Sequence, residues 1–158
     1  RRSAEVGSAV DAAVQLVDTN VLVYRHDDRY PEKQAVAGSV LRAAIATSSL
    51  RVPYQALVEF VSATTRVRAD GRSILPPDEA RREAEEMLAI YPILYPNEAI
   101  VRTALRGVAS YKLNWFDANI WACAEHYGCG VLLTEDLQHG RMIGAVMIHN
   151  PFQDPEAT

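Results

Sequence analysis

Val14-Gln15-Leu16-Val17-Asp18-Thr19-Asn20-Val21-Leu22 begins as a short, largely apolar run and turns polar at a carboxylate. Branched residues in a run of this length predict a strand buried on both faces, as in a parallel sheet. The expected strand covers Val14–Val17 and leaves Asp18 at its carboxyl end. In open α/β sheets that edge is where ligands bind. An Asp in this place also caps a following helix well. Its apolar neighbours nevertheless imply partial burial, and a buried carboxylate needs a cation, a metal or several N–H groups.

Outward from this strand, apolar runs and helical periodicities alternate. Val36, Val40, Leu41 and Ile45 recur in an Ala-rich stretch and predict a helix over 31–48. Leu50–Pro53 reads as a second strand, and Pro53 opens a helix to about Ala69. Asp70-Gly71 and Pro76-Pro77 bracket a loop. A charged helix is expected from Pro77 or Asp78 through Ile90, then a strand over Pro92–Tyr95. Asn97 and Asn114 cap helices reaching Tyr111 and Tyr127, the second stopped by Gly128. Val131–Thr134 and Val146–His149 supply two more strands. Strands alternating with helices predict a single α/β domain over 1–158 with a mostly parallel sheet, residues 1–13 being a polar, Ala-rich lead-in.

The bulk properties narrow the function. Sixteen Lys and Arg against 20 Asp and Glu leave a net charge of −4, so any nucleic-acid contact needs a local basic rim. Arg25, Arg29, Arg66, Arg68, Arg72 and Arg141 are the candidates. Cys123 and Cys129 make no zinc spacing with a histidine pair and read as reduced thiols of a cytoplasmic protein. No stretch is apolar enough to span a membrane; Val6–Leu22 is broken by Asp11, Gln15 and Asp18 and lacks a signal-peptide cleavage pattern.

Three further carboxylates stand in suggestive places. Glu59 shares a narrow polar stripe with Gln55, Ser62 and Arg66 on an otherwise apolar helix. A solvent-facing Glu explains it equally. Asp117 follows Asn114 by three residues at a helix start, where a capping role and an ionised ligand can coexist. Asp136 follows the Val131–Thr134 strand as a turn residue or a ligand, with Glu135 its competitor. Four carboxylates converging on one sheet edge would repel strongly without a cation. With one or two hard cations they form a site for in-line attack of water on a phosphodiester.

The segments Val17-Asp18-Thr19-Asn20-Val21-Leu22, the Glu59 helix, Phe116-Asp117-Ala118-Asn119-Ile120 and Leu133-Thr134-Glu135-Asp136-Leu137, in that order, resemble the acidic motifs of the PIN-domain family. Within it the chain resembles the VapC-type toxins of toxin–antitoxin pairs. Ile148-His149-Asn150-Pro151-Phe152 is similar to the family's final strand, so the likeness runs from about residue 14 to 152. Asn119 departs from it, standing where a small apolar residue is common.

The resemblance implies a PIN-like three-layer fold and Mg²⁺- or Mn²⁺-dependent cleavage of RNA. Asp18 and Asp117 would be the principal metal ligands. Asp136 would hold metal directly or through water, and Glu59 would complete the set or position the attacking water. Thr19, Asn20 and Thr134 would support these ligands by hydrogen bonds. Apart from the resemblance, Arg25, soon after Asp18, and Arg66, on the polar stripe of Glu59, are placed by sequence to flank the site and contact substrate. A small antitoxin is the implied protein partner. A homodimer is implied too, and it would also account for apolar residues on several helix faces, notably Leu57, Val58, Phe60 and Val61, whereas the face formed by Phe116, Ile120, Ala124 and Tyr127 reads mostly as core.

A non-catalytic PIN-like module binding RNA or protein is the alternative. A receiver domain fits less well: Asp27 and Asp28 come too late after the first strand, and no Lys follows the last. Dinucleotide binding lacks its glycine-rich turn after the first strand.

Overall fold

A computed structural model describes residues 13–153, and the lead-in expected over 1–13 lies almost wholly outside them. Two periodicities build the chain. In β1 (Gln15–Val17), β2 (Leu50–Pro53) and β4 (Val131–Leu133), successive side chains point to opposite faces. Val17, Leu50, Val52, Val131 and Leu133 enter one core, while Leu16 and Leu132 enter a second. Both faces are therefore covered, which is why these strands read as unbroken apolar runs.

Helices α1 (Thr19–Tyr24), α2 (Pro31–Ala46), α3 (Tyr54–Thr65) and α4 (Pro77–Ile90) supply the first core. Helices α5 (Glu98–Tyr111) and α6 (Trp115–Tyr127) supply the second. With β3 (Ile93–Leu94), β5 (Met142–Ile143) and β6 (Val146–His149), the sheet formed by the described residues has six strands in the order β3-β2-β1-β4-β6-β5. Every pairing is parallel except β5 with β6. This is the three-layer, mostly parallel architecture the motifs imply.

Local expectations shift at the element ends. The helix after β2 ends at Thr65, not Ala69. Thr64 and Thr65 return their hydroxyls to Phe60 O and Val61 O at 2.8 and 2.7 Å, and Arg66 is already extended. The helix over 31–48 stops at Ala46, followed by Ser48 in the left-handed region at φ 53°. The short α1 and β5 were too brief to carry a periodicity of their own. Close approach of α5 to α6 depends on Gly107, where an added Cβ would lie 2.6 Å from a Trp121 ring carbon.

The order of strands decides where a site can form. From β1 the chain steps one way to β2 and β3 and later the other way to β4, so β1 and β4 flank the point where the order reverses. A crevice outside their carboxyl ends is the expected ligand position. Asp18 follows β1 and Asp136 follows β4 by three residues.

Candidate functional site

Asp18 is both a helix cap and a buried carboxylate. One oxygen accepts from Thr19 N at 2.6 Å, capping α1, and the other accepts from Thr134 Oγ1 at 2.7 Å, bridging β1 to the end of β4. The residue is only 6 % exposed. Burial pushes its carboxyl up from 3.8 to about 7, against the two hydrogen bonds, with the charges of Asp136 and Asp117 raising it further.

Asp117 arrives on the first turn of α6. Its backbone N donates to Asn114 Oδ1 at 2.9 Å, and the Asn114 amide donates back to its carboxylate. The capping reading is thus correct as far as it goes, and the side chain still faces the crevice. Burial and the charge of Asp136 push its carboxyl above the usual range, Asn114 pulls it down, and Glu59 adds a small like-charge push. Carboxylate oxygens of Asp18, Asp117 and Asp136 all come within 4.8 Å of one another, although no two of these residues are closer than nineteen positions in sequence.

Asn20 and Thr134 hold this group together. Asn20 Nδ2 donates to Asp136 Oδ2 at 3.0 Å, with longer contacts of 3.4 Å to Asp18 Oδ2 and Thr134 Oγ1. Asp136 N donates to Thr134 Oγ1 at 3.1 Å. Thr19 Oγ1 donates to Glu59 Oε2 at 2.8 Å, and Gln55 Nε2 donates to Oε1 at 2.9 Å. Glu59 therefore borders the three aspartates without joining their tight cluster.

Glu135 points elsewhere. Its oxygens accept from Tyr24 OH at 2.8 Å and Lys33 Nζ at 2.7 Å. Lys33 carried no signal in the sequence, since a single lysine near the start of a helix is unremarkable there.

A cleft of about 510 Å³ opens from Asp18, Glu59 and Asp136 toward Arg66, Arg68 and Arg29. Arg66 is thus at the cleft, as its stripe with Glu59 implied. Arg25 is not among the cleft's lining residues, and its charge acts instead on His26 and Tyr91. His26 faces Glu83 at 3.5 Å and stacks edge-on against Phe60. Arg29 is paired with Asp27 at 2.7 Å. Asn119 bonds back to Trp115 O at 2.7 Å and borders a separate, mainly apolar cavity of about 180 Å³.

The donor set tests what the crevice can hold. All three converging groups are carboxylates, with no thiolate or imidazole among them. That chemistry suits a hard divalent cation such as Mg²⁺ or Mn²⁺. Burial is the main cause of the raised Asp18 and Asp117 carboxyls, with like charge a lesser one, and a bound cation would offset both.

The family model described as PIN domain matches residues 16–144. No curated protein matches the sequence. Among solved structures, a DNA-bound VapBC from Salmonella typhimurium superposes with a TM-score of 0.62 at 15 % identity, covering 88 % of this chain and 98 % of that one. A VapBC2 from Rickettsia felis, bound to a promoter DNA fragment, gives 0.61 at 13 % identity, covering 86 % and 97 %. A Mycobacterium tuberculosis VapC described as a sarcin–ricin-loop-cleaving toxin gives 0.50 at 13 %, covering 75 % and 86 %. At such identities the likeness establishes a common fold.

Proposed function

Since the chain belongs to the PIN-domain family, we propose that it is a metal-dependent endoribonuclease and the toxin of a toxin–antitoxin pair. The observation that carries this reading is the convergence of Asp18, Asp117 and Asp136 within 4.8 Å from three separate parts of the chain. A non-catalytic module would have no need of so repulsive a cluster.

Asp18, Asp117 and Asp136 are the residues that would hold Mg²⁺ or Mn²⁺. When bound, such an ion supplies charge neutralisation and polarisation of the phosphodiester. Thr134 and Asn20 fix the orientation of Asp18 and Asp136 through the bonds described above. Glu59, tethered at each oxygen by Thr19 and Gln55, keeps lone pairs free on the cleft side to orient the attacking water and accept its proton. Arg66 and Arg68 would receive phosphates flanking the scissile one. Arg25, away from the cleft lining, is left without a substrate role.

The structures of related fold are described as VapBC complexes, which supports a small antitoxin as this chain's partner. Tyr54, Val58, Tyr95, Leu105, Trp115 and Phe116 remain exposed, and large apolar side chains left open to solvent support a homodimer. Of the apolar residues read as surplus, Leu57 and Phe60 are in fact core and Val58 is exposed; on the face read mostly as core, Ile120 and Ala124 are buried, whereas Phe116 is 67 % exposed. Cys123 and Cys129 are free and buried, which suits a reducing cytoplasm. Among the described residues no helix is long and apolar enough to cross a membrane.

The direct test is cleavage of a labelled RNA in Mg²⁺ or Mn²⁺ with and without EDTA. Cleavage that stops with EDTA and in Asp117→Asn supports the proposal. Undiminished cleavage in EDTA would reject the metal role, and no cleavage of any RNA with either ion would leave the non-catalytic module as the better reading.

A further inference from the structure

Glu135 and Asp136 are adjacent carboxylates at the end of β4, yet only Asp136 reaches the cluster with Asp18 and Asp117. The backbone alone gives little reason for this choice. The strand ends at Leu133, and no helix lies between it and β5 at Met142 to fix the orientation of the loop. Asp136 itself is exposed and tethered through its backbone N to Thr134 and through one oxygen to Asn20.

The side chain of Glu135, by contrast, is held at both oxygens. Lys33 on α2 and Tyr24 on α1 take one each, and Lys33 Nζ also donates to Tyr24 OH at 3.1 Å, closing a triangle. The ammonium lies 4.6 Å from the centroid of the Tyr24 ring, 5.4 Å from that of Phe152 and 6.0 Å from that of Tyr30. These are cation–π distances. Tyr24 in turn meets Phe152 and Tyr30 edge-on at 5.0 and 5.7 Å. One cation thus gathers α1, α2, the loop after β4 and the segment after β6.

We propose that Lys33 is a positioning residue of the metal centre: seated among Tyr24, Tyr30 and Phe152, it draws Glu135 out of the crevice and so presents Asp136 to the ion in its place. The inference rests on the metal-binding reading of Asp18, Asp117 and Asp136. It assigns Lys33 a task toward an ion it does not touch.

Calorimetric titration of the full chain with Mn²⁺ tests it without relying on activity. Parent, Lys33→Met, Lys33→Gln, Lys33→Arg and Tyr24→Phe proteins are compared, with thermal melts to establish folding. Lys33→Met should weaken Mn²⁺ binding about tenfold, the lower end of what support groups of metal ligands contribute. Lys33→Arg should recover most of it, because a guanidinium also pairs with a carboxylate and stacks on rings. Unchanged or tighter Mn²⁺ binding in folded Lys33→Met would overturn the proposal, as would an arginine variant no better than the methionine one. If Lys33→Met does not fold, Lys33→Gln decides, since it keeps a polar stem but removes the charge that holds Glu135: weaker Mn²⁺ binding at an unaltered melting temperature supports the proposal, and parental binding overturns it; Tyr24→Phe, with Lys33 still on Glu135, should bind Mn²⁺ more tightly than Lys33→Gln. A parent protein that binds no Mn²⁺ would instead sink the metal reading itself, an outcome distinct from a parent that binds and a Lys33 variant that binds equally.

Discussion

Asp18→Asn separates a metal-site carboxylate from a mere helix cap. In the folded chain without metal, burial pushes Asp18 up from 3.8 to about 7. In the unfolded chain the same group ionises near its ordinary value. Between these two points the folded state holds a proton that the unfolded state has released. Stability therefore falls as pH rises through that window and levels off above it. At about 1.4 kcal/mol per pH unit, the loss amounts to about 4 kcal/mol by pH 8. The Asp18→Asn side chain has no charge to desolvate, and its amide oxygen can still accept from Thr19 N. The variant should be more stable than the parent in EDTA by about 2–4 kcal/mol at pH 8, and the gap should close as pH falls toward 4. Urea unfolding of both proteins at pH steps from 4 to 8 measures this. The difference between the two curves cancels groups common to both, including His26, whose lowered value works in the opposite direction, costing stability as pH falls through its unfolded value. Millimolar Mn²⁺ should then stabilise the parent and not the variant. A difference that does not change with pH, or a variant less stable than the parent at pH 8, would show that Asp18 is chiefly a cap and that the electrostatic argument fails.

Glu59→Gln should leave Mn²⁺ binding within about threefold of the parent but slow RNA cleavage by roughly 100-fold or more, the range of a lost proton acceptor; single-turnover rates beside Mn²⁺ titrations distinguish this from a lost ligand. Arg66→Ala should reduce the slope of log affinity against log salt by about 0.7 for a single-stranded RNA, measured with a catalytically silent Asp117→Asn background, whereas Arg25→Ala should leave that slope unchanged. Gly107→Ala forces a Cβ to within 2.6 Å of the Trp121 ring and should cost about 1–3 kcal/mol of stability, read by urea unfolding with the RNA-cleavage site untouched.

Much of this molecule is local and so could be read from the sequence. Val14–Val17, Leu50–Pro53 and Val131–Thr134 announce buried strands because a strand covered on both faces cannot alternate with polar residues. Asn97, Asn114 and Gly128 mark helix ends because their chemistry acts within a few residues. Asp18, Asp117 and Asp136 could be singled out for the same reason: each sits at the end of a local element. Their meeting could not be seen that way. It depends on β1 pairing with β4 and on α6 starting above the same sheet edge, relations between segments about a hundred residues apart. The cleft's basic side shows the same boundary. Arg25, close to Asp18 in sequence, lies off the cleft after α1 turns the chain, while Arg68, fifty residues on, lines it. Between Glu135 and Asp136 the sequence favours Asp136 only through the resemblance of Leu133-Thr134-Glu135-Asp136-Leu137 to the family's last acidic motif. Charge and propensity alone do not distinguish two neighbouring acids. Lys33, on a helix a hundred residues earlier, does so by occupying one of them at 2.7 Å. Short-range sterics and capping set the elements; which side chains share a site is a matter of through-space distance, and that exists only once the strands are in order.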